Sequence, residues 1–316
     1  MSKHRLQTSM RLVRSVLAVP GHRYKMVQSA AASAADGVFI DLEDAVPPSE
    51  KEEALAGAIK AINELDWGRK VVTVRVNSFD GKVVDDEIKA LKSAERLDTI
   101  LIPKVERVET LRQAEDLIAN QASGCKDLGL EALIETAGGL ANVDAIAAAR
   151  GRLVGLHFGV GDFSASIGAR NVEVGGTHVG YAVTRRDEVG NYATVTQDLW
   201  GYPMMRILVA ARANGLRAVD GPFGGFRDLV LTRSTALKAA AMGYDGKQVI
   251  HPAQIEVTQA AFTPTPEEVS QAQAMVSAME EAEAQGLAAV SVNGKMVDYA
   301  NVRMARRILL MAEAEA

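Results

Sequence analysis

Leu153-Val-Gly-Leu-His-Phe-Gly159 is an almost unbroken apolar run, and an acid, Asp162, follows shortly after it. A strand covered on both faces reads this way, because side chains on either face meet other protein. The same signature recurs at Ser15–Val19, Gly37–Asp41, Val71–Val76, Thr99–Pro103, Ala132–Glu135, Arg217–Asp220 and Gln248–Ile250. Helical patterns alternate with these runs at Glu50–Glu64, Val108–Gln121, Ala141–Ala149, Met204–Asn214 and Thr232–Ala241. Gly215 and Gly243 stand where a helix C-terminus needs a left-handed residue. Strands alternating with helices in this number predict an α/β fold of the (β/α)8 TIM-barrel type. An open doubly wound sheet is the alternative that the pattern alone leaves standing.

Composition sets the class. The 316 residues are 48% hydrophobic and 24% charged, as in an ordinary globular protein with a large core. Net charge is −5, which argues against nucleic acid as a partner. The single cysteine, Cys125, allows no intrachain disulfide and suits a reducing, cytoplasmic setting. No apolar run approaches the ~20 residues of a membrane span. The basic start, Met1 to Ser15, reads as a short tail rather than a transit peptide, since a strand begins at once.

Two stretches depart from the barrel repeat. Ser164–Gly201, rich in Gly, Thr and Arg, reads as an extended loop over one barrel end, and long insertions of that kind are commonly functional. Thr263-Pro-Thr-Pro-Glu-Glu starts a helix running to about Gln285. A hairpin around Asn293-Gly294 and a closing helix follow. We therefore divide the chain into a catalytic barrel, 1–262, and a C-terminal helical lid or arm, 263–316.

In such barrels the C-terminal ends of the strands face the active site. That rule collects Asp41, Glu43, Asp44, Arg75, Asn77, Lys104, Glu135, Asp162, Asp220 and His251. Glu135 and Asp162 end adjacent strands among glycine turns, so their carboxylates can share one hard cation. Two carboxylates with water and substrate oxygens suit Mg2+, with Mn2+ as a substitute. Zinc is disfavoured, because no Cys/His cluster has ligand spacing. Arg75, in an apolar strand, needs an acidic partner such as Asp41 or Glu43, and its planar fork suits a carboxylate or an enolate oxygen. Asp41-Leu-Glu-Asp44 would support the arginine or metal-bound waters from behind. The turn Pro20-Gly-His-Arg23 could cradle an anion. For His251 the blander reading is a satisfied core histidine.

Several of these stretches together resemble the HpcH/HpaI aldolase or citrate lyase β-subunit-like family. They are Arg14-Ser-Val-Leu-Ala-Val-Pro-Gly-His-Arg23, Asp41-Leu-Glu-Asp-Ala-Val46, Val74-Arg-Val-Asn77, Ile102-Pro-Lys104, Gly161-Asp-Phe163 and Gly246-Lys-Gln-Val-Ile-His-Pro252. The resemblance implies a barrel of the phosphoenolpyruvate/pyruvate type. Asp66-Trp-Gly-Arg-Lys70, Gly175-Gly-Thr177, Val219-Asp-Gly-Pro-Phe-Gly224 and Gly294-Lys-Met-Val-Asp298 look most like the malyl-CoA and β-methylmalyl-CoA lyases of that family.

The resemblance implies Mg2+ on Glu135 and Asp162, and Arg75 binding substrate and stabilising an enolate. It places Arg23, Ile250 and His251, with Glu135, in the pocket for an acyl-CoA and a 2-oxo acid. Asp298 matches a lid aspartate that serves a neighbouring subunit in a homotrimer or hexamer. The implied reaction is reversible C–C cleavage of malyl-CoA or β-methylmalyl-CoA to glyoxylate and acetyl-CoA or propionyl-CoA. Citramalyl-CoA lyase, malyl-CoA thioesterase and a citrate lyase β-type subunit are the alternatives. Ser29 stands where several malyl-CoA lyases carry a basic residue, which puts the CoA contacts in doubt.

Overall fold

The computed structural model describes residues 11–119, 128–170 and 173–314. Cys125 and the first ten residues of the basic start lie outside them, and so do the readings placed on those residues. Eight parallel strands close into a barrel: β1 (Ser15–Pro20), β2 (Gly37–Asp41), β3 (Val71–Arg75), β4 (Thr99–Ile102), β5 (Gly129–Ile134), β6 (Leu153–Phe158), β9 (Arg217–Asp220) and β10 (Gly246–Val249). The barrel closes where β1 pairs with β10. Between β6 and β9 the chain makes an antiparallel hairpin of β7 (Ala182–Arg186) and β8 (Tyr192–Thr196). The expected loop is therefore partly ordered: Asp187 closes the turn by accepting from the N–H groups of Val189 and Asn191, and Val183 and Val195 pair across the strands.

The core follows from the strand composition. Val38, Ile40, Val72, Val74, Ile100, Leu130, Ile134 and Leu156 are fully or almost fully buried, so these runs have no solvated face. Helices join the strands: α1 (Tyr24–Ala31), α2 (Lys51–Glu64), α3 (Val83–Leu91), α4 (Val108–Ala119), α5 (Ala137–Ala141), α6 (Val143–Ala147), α7 (Val160–Ser166), α8 (Gly201–Ala213) and α9 (Leu229–Met242). The pattern read as one helix over 141–149 resolves into α5 and α6, which share Asn142 as a boundary. Gly243 ends α9 at φ +106°, as its position predicted. Among the described residues no helix is long and apolar enough to cross a membrane.

The chain forms two compact units, 1–259 and 260–316, and α10 (Ile255–Phe262) contains the division. The second unit has its own core. Ala272, Val276 and Met279 of α11 (Pro266–Ala284) pack with Val297, Val302 and Ala305. Thr265 and Glu268 form a reciprocal capping box at the start of α11. The short strands β11 (Val290–Val292) and β12 (Lys295–Val297) turn through Asn293 and Gly294, both at positive φ. α12 (Tyr299–Glu313) closes the unit.

Candidate active site at the barrel rim

The rim is built from the last residues of β2 and β3 and the first residues after β2, β4, β5 and β6. Asp41 and Arg75 are register partners on β2 and β3, so their side chains start side by side. The guanidinium donates from Nε and Nη2 to the two Asp41 oxygens, both at 2.7 Å. Its Nη1 faces Glu43 Oε2 at 3.2 Å. Burial would raise the Asp41 carboxyl, yet Arg75 and the N–H groups of Glu43 and Ala45 hold it below its ordinary value. Two carboxylates thus fix a planar cation whose position is defined before any ligand arrives. Lys51, at the start of α2, ties the carbonyls of Leu42 and Glu43 to Asn77. Buried Glu87 holds Asn77 in turn.

Lys104 joins this arginine cluster to the second half of the rim. Its ammonium donates to Glu43 Oε1 at 2.6 Å and to Asp44 Oδ2 at 3.3 Å. Its backbone N–H donates to Glu135 Oε1 at 2.9 Å. That geometry needs φ +51° at Lys104, a left-handed conformation that costs a residue with a Cβ roughly 1–2 kcal/mol. Glu135 is 2% exposed. Burial pushes its carboxyl up to about 8; Arg75 opposes the rise, while Asp162 and Glu43 add to it. Gly159 is what lets α7 begin so close, since a Cβ there would stand 2.4 Å from Glu135 Cβ and 2.5 Å from Oε2. Three residues later, Asp162 in the first turn of α7 brings the second carboxylate.

These donors fit magnesium. Among the described residues no set of three or more His, Cys, Asp and Glu side chains is gathered as a ligand group. Mg2+ does not require one, because it keeps several waters and binds through one or two carboxylates. Glu135 and Asp162 supply oxygen ligands only, and Glu135 is a buried acid that its neighbours leave short of positive charge.

The family profile for HpcH/HpaI aldolase/citrate lyase matches residues 14–252. The chain belongs to that family. It is accordingly an enzyme of an oxo-acid lyase family. The HpcH/HpaI chain is 38% identical to an L-malyl-CoA/β-methylmalyl-CoA lyase of Cereibacter sphaeroides, covering 93% of this chain and 92% of the relative. A (3S)-malyl-CoA thioesterase of the same species is 36% identical over 96% and 95% of the two chains. Among solved structures, CitE of Mycobacterium tuberculosis in complex with magnesium, acetoacetate and coenzyme A has a TM-score of 0.74 and 28% identity. That match covers 96% of this chain and 99% of CitE.

The strand-end rule gathers most of this HpcH/HpaI rim, but Asp220 and His251 depart from it. Asp220 does not join the cluster: its carboxylate accepts from the buried Lys247 ammonium at 2.6 Å, and Gly221 O accepts from the same ammonium. Gln248, the next residue on β10, bonds His157 inside the barrel, so Lys247 and Asp220 belong to the opposite face, toward α8 and α9. Arg23 is exposed at the N-cap of α1, and Ser29 bonds Lys25 O. Ile250 is 42% exposed. His251 is exposed rather than a core histidine. Its ring stacks on Phe226 at 4.7 Å, and Nδ1 accepts from Ala253 N–H. Among the described residues no hydrogen bond or ion pair joins Arg23, Ile250 or His251 to the Arg75–Glu135 cluster. In the second unit Asp298 is the N-cap of α12, accepting from Ala300 and Asn301 N–H in a capping box.

Proposed function

We propose that the chain catalyses magnesium-dependent, reversible C–C cleavage of (S)-malyl-CoA or β-methylmalyl-CoA, giving glyoxylate and acetyl-CoA or propionyl-CoA. The observation that carries this reading is the rim itself: a fixed guanidinium beside a buried, under-compensated glutamate and a second carboxylate. Similarity to malyl-CoA lyases along nearly the whole chain supports the substrate class.

Glu135 and Asp162 would hold the metal, which when bound supplies Lewis acidity at the substrate's carboxylate and hydroxyl oxygens. Arg75 binds the substrate and donates to the thioester enolate oxygen as charge develops there. Asp41 and Glu43 keep that fork aimed, so little reorganisation accompanies the reaction. Asp44 and Glu43 orient Lys104 at the same edge. Arg23, Ile250 and His251 are assigned to the acyl-CoA pocket. Asp298 of a neighbouring copy in a homotrimer or hexamer delivers a proton to the enolate carbon, and in condensation removes it. Glu43, or a water that the metal would hold, would take the hydroxyl proton.

A second reading, malyl-CoA thioesterase, is favoured by the relative at 36% identity. One assay separates the readings. The purified chain is incubated with Mg2+, glyoxylate or pyruvate, and a panel of acyl-CoAs, and products are read by mass. Condensation of glyoxylate with acetyl-CoA or propionyl-CoA is the expected result. Use of pyruvate alone would instead mark a citramalyl-CoA lyase. Release of free malate from malyl-CoA without glyoxylate would mark the thioesterase. Activity only after adding partner subunits would mark a citrate lyase β-type component.

A further inference from the structure

Lys104 stands between two groups that the proposed reaction uses for different purposes, and it reaches them by different atoms. Its backbone N–H donates to Glu135, the metal carboxylate, at 2.9 Å. Its side chain takes one oxygen of Glu43 at 2.6 Å, while Arg75 faces the other at 3.2 Å. Glu43 is 4% exposed, so no bulk solvent competes for those two oxygens. The backbone holds a left-handed φ of +51° at a residue that carries a full side chain. A glycine would satisfy the backbone at this position without strain, and the ammonium is what glycine lacks.

We infer that Lys104 is a dual positioning residue: its N–H aims Glu135 at the metal, and its ammonium, acting through Glu43, aims Arg75 at the reacting oxygen. The inference rests on the lyase reading for what the two groups do. It makes the two functions separable by substitution. Lys104→Gly keeps the N–H and eases the φ, removing only the ammonium. Lys104→Val resists positive φ, so the strand-end turn shifts and the N–H leaves Glu135. Lys104→Arg keeps a cation on Glu43.

The test measures Mn2+ binding to each metal-free protein by electron paramagnetic resonance, alongside kcat and KM with Mg2+. Lys104→Gly is expected to bind Mn2+ within about threefold of the parent while kcat falls at least tenfold. Lys104→Val is expected to lose at least tenfold in Mn2+ affinity, and Lys104→Arg to recover most of the kcat lost in the glycine variant. Thermal unfolding of Lys104→Gly matching the parent identifies the kcat loss as a site effect. If that variant has parental kcat, or Lys104→Arg fares no better than Lys104→Gly, the side-chain half is overturned. Equal Mn2+ loss in the glycine and valine variants would overturn the backbone half. A parent that binds Mn2+ but cleaves no acyl-CoA would count against the lyase reading alone, and the Mn2+ comparison would still decide the backbone half.

Discussion

Glu131 and Glu135 leave the same stretch of chain four residues apart, and both are 2% exposed. Their chemistry diverges. Glu131 lies inside the barrel, where His157 faces it at 3.2 Å, Arg217 at 3.6 Å, and Thr99 donates to it at 3.2 Å. Burial would raise its carboxyl, yet those partners together hold it below its ordinary value. Glu135, at the rim, receives one backbone N–H and the distant pull of Arg75, and stays raised to about 8. Equal burial with opposite shifts separates a carboxylate that its own partners satisfy from one that its neighbours leave under-compensated, and it is the second that we propose holds the metal.

Breaking each side of this comparison gives different losses. Glu131→Ala leaves Arg217 and His157 buried around a missing partner. It should lower unfolding free energy by about 3–5 kcal/mol in urea titrations, as removal of one member of a buried ion pair does. Arg75→Gln should leave the fold and Mn2+ binding in place while kcat drops roughly 10²–10³-fold, the size of loss seen when one oxyanion donor is removed. Gly159→Ala pushes a methyl into Glu135 and should weaken Mg2+ binding by roughly 10–100-fold, read by calorimetry.

The smallest effect is the most diagnostic of the pair. Below about 8 the metal-free Glu135 holds a proton that Mg2+ must displace. Apparent Mg2+ affinity should therefore rise about tenfold per pH unit toward that value and level off above it. Proton release should appear in buffers of different ionisation enthalpy. Without metal, a raised folded-state pKa means Glu135 binds its proton more tightly when folded, so its contribution to stability declines as pH rises from its ordinary value, 4.5, to about 8. Glu131 acts oppositely. Its contribution is present above its ordinary pKa and is lost as pH falls through its lowered folded value. Glu135→Gln should remove the first dependence and spare the second.

Sequence alone made the barrel legible because buried parallel strands are apolar on both faces. For 37–41 and 217–220 the apolar run and the strand share the same limits. The apolar run of β5 is shorter than the strand, because Gly129 and Glu131 interrupt it and Glu131 serves the interior. The hairpin β7–β8 has the sequence character of a loop because neither strand buries a face, so alternation leaves no core signature. Among the rim residues, Asp41, Glu43, Arg75, Glu135 and Asp162 fell out of one rule about strand ends. The rule also swept in Asp220, because it reports position along a strand and not which face a side chain takes. The double duty of Lys104 had no sequence signal beyond its place after Pro103, since a positive φ at lysine is set by the tertiary bond to Glu135. Asp298-x-x-Asn301 ahead of a helix signals the cap that Asp298 forms, whereas the lid role that the resemblance implies for Asp298 has no counterpart in the local sequence pattern.

The central claim is that Glu135 and Asp162 together hold the metal. Calorimetric titration of Mg2+ into the metal-free parent and into Asp162→Ala tests it most directly. A ligand should matter at least as much as the outer contacts whose loss costs roughly 10–100-fold, so the variant's Kd is expected to rise by about 100-fold while its unfolding transition stays near the parent's. Parental Mg2+ affinity in Asp162→Ala would contradict the account.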